Sequence, residues 1–348
     1  MKRLFFFLFF ICAFTPVNNA NSNEATSNSY EAALDLIHAF SGSGNELDRA
    51  MGIAKELAIS QPKSGYAQTL IAEMLSTWEL SQDGEPETLR TKIIKLTEEA
   101  LRLNPRLAQA YVARARAVLR AAKYDEANKA NDTALALDPN LVGAMFIRAE
   151  IFRRTGRVLE AETWYLKFID STPSRTRRSN GYYWLGVMYQ NAVSSQSSNR
   201  SAMLGKARGA YEKMLELDPD GAWKNVNFAI FLNDDAEDFV AAERYAQKAL
   251  SVMEFPMARY HLAIARYQKI LGSMDKMDNG SLKDAIGQVH ASTGVSLTDA
   301  IRFSNPWPEI RTRLQKVQAR LSLSFFNQSR TTELAADMER LSALLLVT

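Results

Sequence analysis

Three prolines recur at a fixed spacing, and they constrain the fold more than any other feature of the chain. Pro105, Pro139 and Pro173 are 34 residues apart, and each closes a similar phrase, such as Leu137-Asp138-Pro139. A period of this length is typical of arrays in which each repeat is a hairpin of two helices. One hairpin cannot bury its apolar face alone, so neighbouring hairpins must stack. The sequence therefore predicts an all-α repeat array rather than a single globular core.

Small residues between the prolines share their register. In the repeat that starts at Ala108, Ala115 and Ala127 occupy positions 8 and 20, Ala134 occupies position 27, and Pro139 occupies position 32. The two helices of a hairpin cross at positions 8 and 20, where only a small side chain lets the backbones approach. Proline ends the second helix because it has no N–H group to donate. The register thus predicts where each hairpin is tightly packed.

This register resembles that of the tetratricopeptide repeat, which has Leu-Gly at positions 7 and 8, alanines at 20 and 27, and proline at 32. The resemblance covers roughly residues 46–271 and is most complete in the repeats that begin at Ala108, Val142 and Ser179. It implies a right-handed α-solenoid of stacked, TPR-like helical hairpins. We expect the array to span residues 30–271 and C-terminal capping helices to occupy residues 272–348, because an open end of a stack must be covered.

Two repeats carry extra residues at equivalent places, around residues 81–86 and 194–201. We expect both insertions to form loops between the helices of a hairpin. Insertions in solenoids often lie on the binding face. The alternative is that they are tolerated surface loops without a role in binding.

The N-terminus has the form of a secretory signal peptide. Lys2 and Arg3 precede an apolar run at residues 4–14, which is too short to span a bilayer as a helix. We expect residues 1–20 to be removed and residues 21–29 to form a polar linker. The mature chain would be periplasmic or secreted, with no stable transmembrane span, and the form of the signal favours a bacterial periplasm. An uncleaved signal would instead anchor the chain to a membrane.

Cysteine and histidine usage predicts neither a metal site nor a catalytic site. Cys12 is the single cysteine and lies within the predicted signal, so the mature chain would have no disulfide. The three histidines are far apart, and none has a metal-type spacing. We find no glycine-rich phosphate loop and no nucleophile elbow. We expect a protein that is not an enzyme and that needs no cofactor. An enzyme would need a polar pocket in residues 279–348.

Arginine is concentrated in the middle of the chain. Residues 104–180 contain 14 Lys and Arg against 8 Asp and Glu, a net charge of +6, whereas the whole chain carries only +3. Arginine binds carboxylates through two parallel N–H groups. This segment therefore predicts either a surface for anions or a solvated basic face. Nucleic acid is disfavoured as a partner because the exported chain is close to neutral.

The family register also implies which side chains line the inner surface of the array. In tetratricopeptide repeats, positions 2, 5, 9, 12 and 13 of each first helix face the groove. Carried over to this sequence, they select the following candidate partner-binding residues: Arg116, Arg120, Phe146, Arg153, Arg154, Tyr183 and Trp223. The carboxylate clamp by which the family binds chaperone tails is absent, because its Lys and Asn positions hold Val112 and Arg116.

The resulting groove would be basic at one end and aromatic at the other. This mixture suits an extended protein or peptide segment with an acidic part and apolar anchors. We therefore predict an exported scaffold for protein–protein interaction, acting as an adaptor in a cell-envelope or secretion assembly. The alternative is a scaffold for an anionic glycan in exopolysaccharide export machinery, which uses similar arrays.

Overall fold

The structure is a computed structural model that describes residues 19–40, 45–79, 86–195, 199–305 and 308–326. These residues are helical apart from short connections and contain no strand, so the predicted all-α fold is confirmed. The chain divides into two units: unit 1 ends at Ile151, and unit 2 begins at Phe152.

Unit 1 is a stack of helical hairpins. Its helices, in chain order, are α1 (Asn19–Ala39), α2 (Glu46–Ser60), α3 (Tyr66–Glu79), α4 (Pro86–Leu103), α5 (Ala108–Arg120), α6 (Tyr124–Leu137) and the part of α7 (Val142–Arg154) that precedes Phe152. Each first helix packs against its own second helix, as α3 does against α4 and α5 against α6. Helix α3 also contacts α1 and α5, the first helices of the flanking hairpins. This is the stacking that the repeat register predicts.

The small residues of the register lie at the helix crossings, as predicted. Ala115, Ala127 and Ala134 have no solvent-exposed surface, and neither have Ala50 and Ala72 at the corresponding positions of earlier repeats. Larger apolar side chains surround Ala115, Ala127 and Ala134 in a core shared by α5, α6 and α7. Because these crossings leave no room for a larger side chain, the alanines determine how closely the two helices of each hairpin approach.

Helix α1 begins earlier than the sequence indicates. Residues 21–29 were expected to form a polar linker, but they belong to α1, which starts at Asn19. Thr26 and Tyr30 lie one turn apart, and both are buried; the Tyr30 ring is 5.2 Å from that of Tyr66 on α3. Packing of this face stabilises a segment whose polar composition disfavours a helix. Apart from its last two residues, the predicted signal peptide lies outside the described residues.

Unit 2 continues with hairpins and ends in a different packing. After the last turn of α7, its helices are α8 (Val158–Ser171), α9 (Arg175–Ser195), α10 (Arg200–Leu217), α11 (Ala222–Asp234), α12 (Phe239–Val252), α13 (Pro256–Ser273), α14 (Asn279–Thr293), α15 (Leu297–Phe303) and α16 (Pro308–Phe326). The hairpins are formed by α9 with α10 and by α11 with α12, and the first helix α11 also contacts the first helix α13.

The second predicted insertion mainly lengthens helices. Helix α9 has 21 residues and α10 has 18, against 13 and 14 in the following hairpin. Ala192 and Val193 continue the buried face of α9, so the helix extends through Ser194 and Ser195, which were expected in a loop. The expectation was wrong because buried contacts outweigh the low helix propensity of serine. Most of the first predicted insertion, residues 80–85, lies outside the described residues.

The last described helices pack against α13 around a core of their own. Ile264 and Tyr267 of α13 share a buried apolar cluster with Leu314 of α16, and the Tyr267 hydroxyl donates a hydrogen bond of 2.9 Å to the carbonyl of Val295. Helix α14 starts at Asn279, where the Asp278 carboxylate accepts a hydrogen bond from the backbone N–H of Ser281 in the first turn. The last part of the predicted C-terminal cap, residues 327–348, lies outside the described residues.

Candidate binding surface

Side chains from the last turn of α7 and from the first helices α9 and α11 form one continuous row in unit 2, which we call the aromatic row. It consists of Arg153, Trp184, Tyr183, Asn227 and Trp223. The Arg153 guanidinium carbon lies 5.0 Å from the centroid of the Trp184 ring, and the Trp184 and Tyr183 rings meet edge to face at 5.0 Å. The Tyr183 hydroxyl and the Asn227 side-chain oxygen are 3.4 Å apart, at hydrogen-bonding distance. The Asn227 amide then donates to the backbone carbonyl of Trp223 at 2.6 Å.

The row is partly open to solvent. Trp223 is 42% exposed although its ring lies 4.8 Å from the buried ring of Phe255, and the other members of the row are half-buried. Tryptophan, tyrosine and arginine are the residue types that most often dominate the energy of a protein interface. Their rings offer apolar area and polar edges together. A partner covering this row would therefore gain both apolar contact and hydrogen bonds.

A packed layer beneath the row holds it in place. The Tyr211 hydroxyl donates to the Gln190 side-chain oxygen at 2.6 Å, and the Gln190 amide donates to Asp235 at 2.7 Å. Burial raises the pKa of Tyr211 well above its usual value, so this hydroxyl remains a donor. A side chain at Gly186 would meet the Tyr211 ring at 3.1 Å, which explains the glycine of the Leu-Gly pair in this repeat. The row thus rests on side chains with little freedom to move.

Carboxyl groups at the end of α11 change the local charge. Burial raises the pKa of Asp234 to about 8, with a further increase from the neighbouring Asp235 and a smaller, opposing effect of Arg313. Burial also raises the pKa of Asp235, although its hydrogen bond from Gln190 lowers it in part. Near neutral pH this end of α11 therefore carries less negative charge than the sequence indicates.

Two of the predicted groove arginines are engaged inside unit 1. The Arg116 Nη1 atom is 2.7 Å from Glu73 Oε2, and the Glu73 side chain is only 2% exposed. Arg120 donates a hydrogen bond of 2.5 Å to the carbonyl of Ser76. Both interactions connect α5 to α3. These arginines therefore brace neighbouring first helices, and their contribution to a surface for a partner remains a prediction.

The repeat register contains a signal that would have revealed this brace. Glu73, Arg116 and Glu150 occupy position 9 of three successive first helices, and the side chains of Glu73 and Glu150 are buried. Equivalent positions of stacked first helices lie close to each other, so opposite charges at one register position predict an ion pair. The groove register, which is applied to one repeat at a time, does not reveal this pairing between repeats.

The remaining predicted residues are divided between the units. Phe146 is half-buried against the core of unit 1, whereas Arg153, Arg154, Tyr183 and Trp223 belong to unit 2. Arg154 is exposed at the end of α7. A single groove containing all seven predicted residues stays a prediction. Sequence analysis missed Trp184 and Asn227, which lie at positions outside the assumed groove register.

Neither a membrane-spanning helix nor a metal-binding group of side chains occurs in the described part of the chain. None of the helices in the described ranges combines the length and the apolar character needed to cross a membrane. Within the same ranges, no three His, Cys, Asp or Glu side chains are grouped in a way that would hold a metal ion.

Comparison with known proteins identifies the fold class. No family model matches the chain, and no curated protein matches it. Among solved structures, the human IFIT1 dimer with m7Gppp-AAAA is 17% identical, with a TM-score of 0.53 over 92% of this chain and 72% of that one. The APC/C hetero-tetramer Cut9-Hcn1 is 11% identical, with a TM-score of 0.50 over 85% of this chain and 54% of that one.

A further solved structure is described as a TPR protein, YrrB, with an unusual peptide-binding site. It is 15% identical and has a TM-score of 0.36 over 59% of this chain and 94% of that one, which is too distant to inform function. At such identities the comparisons show the fold alone. That fold is an all-α solenoid of TPR-like helical hairpins, as the 34-residue register predicts.

Proposed function

We propose that this protein is an exported scaffold that binds an extended segment of a partner protein, as an adaptor in a cell-envelope or secretion assembly. A solenoid of TPR-like hairpins supports a role in protein–protein interaction in general, because its first helices offer a long, rigid surface. Export to the periplasm is supported by the basic and apolar residues within 1–20.

The observation that carries the proposal is the aromatic row of unit 2. Asn227 offers both a donor and an acceptor, which matches the backbone of an extended peptide. Trp223 and Trp184 offer apolar area for an anchoring side chain, and Arg153 offers a cation for an acidic residue. A segment with one acidic residue and one apolar anchor fits this order of groups.

An anionic polysaccharide is the alternative partner. It would be favoured by a surface rich in free arginine and poor in aromatic rings. The row instead alternates rings with polar groups, and Arg116 and Arg120 already contact groups within unit 1. These observations favour a protein partner over a glycan.

The binding test compares variants on and off the row in a pull-down from cell-envelope extract. We expect Trp223→Ala and Arg153→Ala to capture less of the partner than the parent chain does. Leu159→Ala is the matched control, because Leu159 is 75% exposed on α8, outside the row. Equal capture by the parent and by Trp223→Ala would contradict the assignment of the row.

Export is tested separately by N-terminal sequencing of the protein recovered from the periplasm. We expect a chain that begins near residue 21. Recovery of a cytoplasmic chain that starts at Met1 would contradict export while leaving the binding proposal open to its own test.

A further inference from the structure

Unit 1 contains a cavity of about 580 Å³ that is separate from the aromatic row and shares only Gln109, at position 2 of its repeat, with the predicted groove. Its wall is formed mainly by three connections and the helix ends beside them, at residues 61–66, 104–109 and 137–138, with Thr26 of α1. The cavity therefore lies at the loop edge of the repeats. Its volume falls within the range of roughly 300–1,000 Å³ that is usual for small-molecule sites.

The connections that form the cavity have defined conformations. Gly65 has a φ of +78°, and a side chain there would lie 2.7 Å from the carbonyl oxygen of Ala100, so glycine is required at this position. The Ser64 hydroxyl donates to the carbonyl of Gln61 at 2.7 Å. Asn104 donates to the carbonyl of Ser64 at 3.3 Å and so joins the first two connections. The cavity is thus formed in advance of any ligand.

Two cations line this cavity without a partner among the described residues. Lys63 comes from the first connection and Arg106 from the second, and both side chains are exposed. Several other basic side chains of unit 1 form ion pairs, as Arg148 does with Asp132 and Arg116 with Glu73. The single carboxylate in the wall, Asp138, accepts a hydrogen bond from the backbone of its own turn. Lys63 and Arg106 contribute two positive charges to the lining and Asp138 contributes one negative charge, so the lining carries a net charge of +1.

Apolar groups form another part of the wall. Leu107 is 2% exposed, and Leu137 and Pro62 lie beside it in the lining. Tyr66 adds the edge of a ring, and burial raises the pKa of its hydroxyl, which therefore stays protonated. A ligand that fits this wall must combine a charged end with an apolar body.

We propose that this cavity binds a small organic anion in which a carboxylate or a phosphate group is attached to an apolar body. Arg106 presents a planar fork of N–H groups that suits either anion, and Lys63 adds a second positive charge. Leu107, Leu137 and Tyr66 contact the apolar body. This site is independent of the partner-binding function proposed for unit 2.

The test titrates the purified full chain with matched probes and follows binding by ligand-observed NMR and calorimetry. Phenylacetate and phenyl phosphate carry the two candidate anions on the same ring, phenylacetamide is the neutral counterpart, and inorganic phosphate lacks the ring. We expect at least one of the two aromatic anions to bind saturably at one site, and phenylacetamide to bind about tenfold more weakly or not at all. The ratio of the two affinities distinguishes a carboxylate site from a phosphate site.

Variants locate the binding in the cavity. We expect the double variant Lys63→Ala/Arg106→Ala to weaken binding of the aromatic anion at least about tenfold, a change of about 1.4 kcal/mol. Lys129→Ala removes an exposed cation of α6 that does not line the cavity, and it should bind like the parent. All three residues are exposed, so the variants should unfold at the parent temperature. The proposal is overturned if neither aromatic anion saturates, if phenylacetamide binds equally well, or if the double variant binds like the parent.

Discussion

The two units place arginine in different environments although both follow one repeat register. In unit 1, Arg116 forms an ion pair with Glu73, and the two side chains are 16% and 2% exposed. In unit 2, Arg153 lies over the Trp184 ring in the half-buried aromatic row. Both arginines belong to the basic segment at residues 104–180, and the net charge of that segment does not distinguish them. The two arginines differ in what they contact: Arg116 pairs with a buried carboxylate of the preceding repeat, whereas Arg153 lies over an aromatic ring of the following repeat.

The largest expected effect tests the unit 1 side of this comparison. Replacing Arg116 with Ala leaves the Glu73 carboxylate buried without its cation, which typically costs about 3–5 kcal/mol of folding free energy. Chemical denaturation of the variant measures this loss. The double variant Glu73→Leu/Arg116→Leu should recover most of the stability, because it removes both charges and keeps apolar volume. A variant Arg116→Ala as stable as the parent would mean that the arginine is solvated.

A second prediction concerns a feature that both units share. Ala127 of unit 1 and Ala161 of unit 2 occupy position 20 of their repeats, and neither is exposed. Replacing either with Leu should overpack the helix crossing and cost about 1–3 kcal/mol. Ala136 is exposed on α6, so Ala136→Leu is the control and should change stability little. Equal melting temperatures for the three variants would show that the register is wrong.

The third prediction concerns a buried histidine of unit 2. Burial lowers the pKa of His261 from 6.5 to about 3. Between these values the unfolded chain binds a proton that the folded chain does not, so this residue lowers stability as pH falls below about 6.5. The loss between pH 7.5 and pH 5 is about 2 kcal/mol, at 1.36 kcal/mol for each pH unit.

The variant His261→Gln should remove this pH-dependent loss, and the difference in unfolding free energy between parent and variant at the two pH values measures it. His290 is exposed on α14, so His290→Gln is the control. A constant difference between parent and His261→Gln across this range would mean that His261 is accessible to protons in the folded state.

The fourth prediction concerns Asp234 of unit 2, whose contribution to stability changes with pH in the opposite direction to that of His261. Burial raises the pKa of Asp234 from 3.8 to about 8, so between these values the folded chain holds a proton that the unfolded chain releases. This group therefore lowers stability as pH rises from about 4 to about 8. We expect the difference in unfolding free energy between Asp234→Asn and the parent to shift in favour of the variant over that range. A difference independent of pH would show that the carboxyl group titrates normally.

The features predicted from the sequence are those set by local repeat sterics. A crossing that admits only alanine, and a proline that ends a helix, act within one hairpin, so Ala115, Ala127 and Pro139 specify the fold without knowledge of the neighbours. The start of α1 depends on Tyr30 meeting a ring of α3, and the role of Arg116 depends on a carboxylate of another repeat. The start of α1 and the role of Arg116 both follow from contacts between repeats, and the register of a single repeat contains no information about such contacts.

The last prediction concerns the aromatic row, where we expect the smallest effects on stability. It is also the sharpest test of the difference between Arg116 of unit 1 and Arg153 of unit 2. Arg153→Ala and Trp223→Ala should each change the free energy of unfolding by at most about 1 kcal/mol, because both side chains keep access to solvent.

Their effects on binding should differ in kind. The loss from Arg153→Ala should shrink as salt concentration rises, since exposed charges are screened within roughly 8–10 Å at ordinary ionic strength. The loss from Trp223→Ala should not depend on salt, because it removes apolar contact. The variant Arg116→Glu is not suitable for testing the binding surface. It places a second carboxylate beside the buried Glu73, so we expect it to unfold the array. If Arg153→Ala binds the captured partner like the parent at every salt concentration, the two arginines do not differ in the way the structure indicates, and the basic residues of both units serve the fold alone.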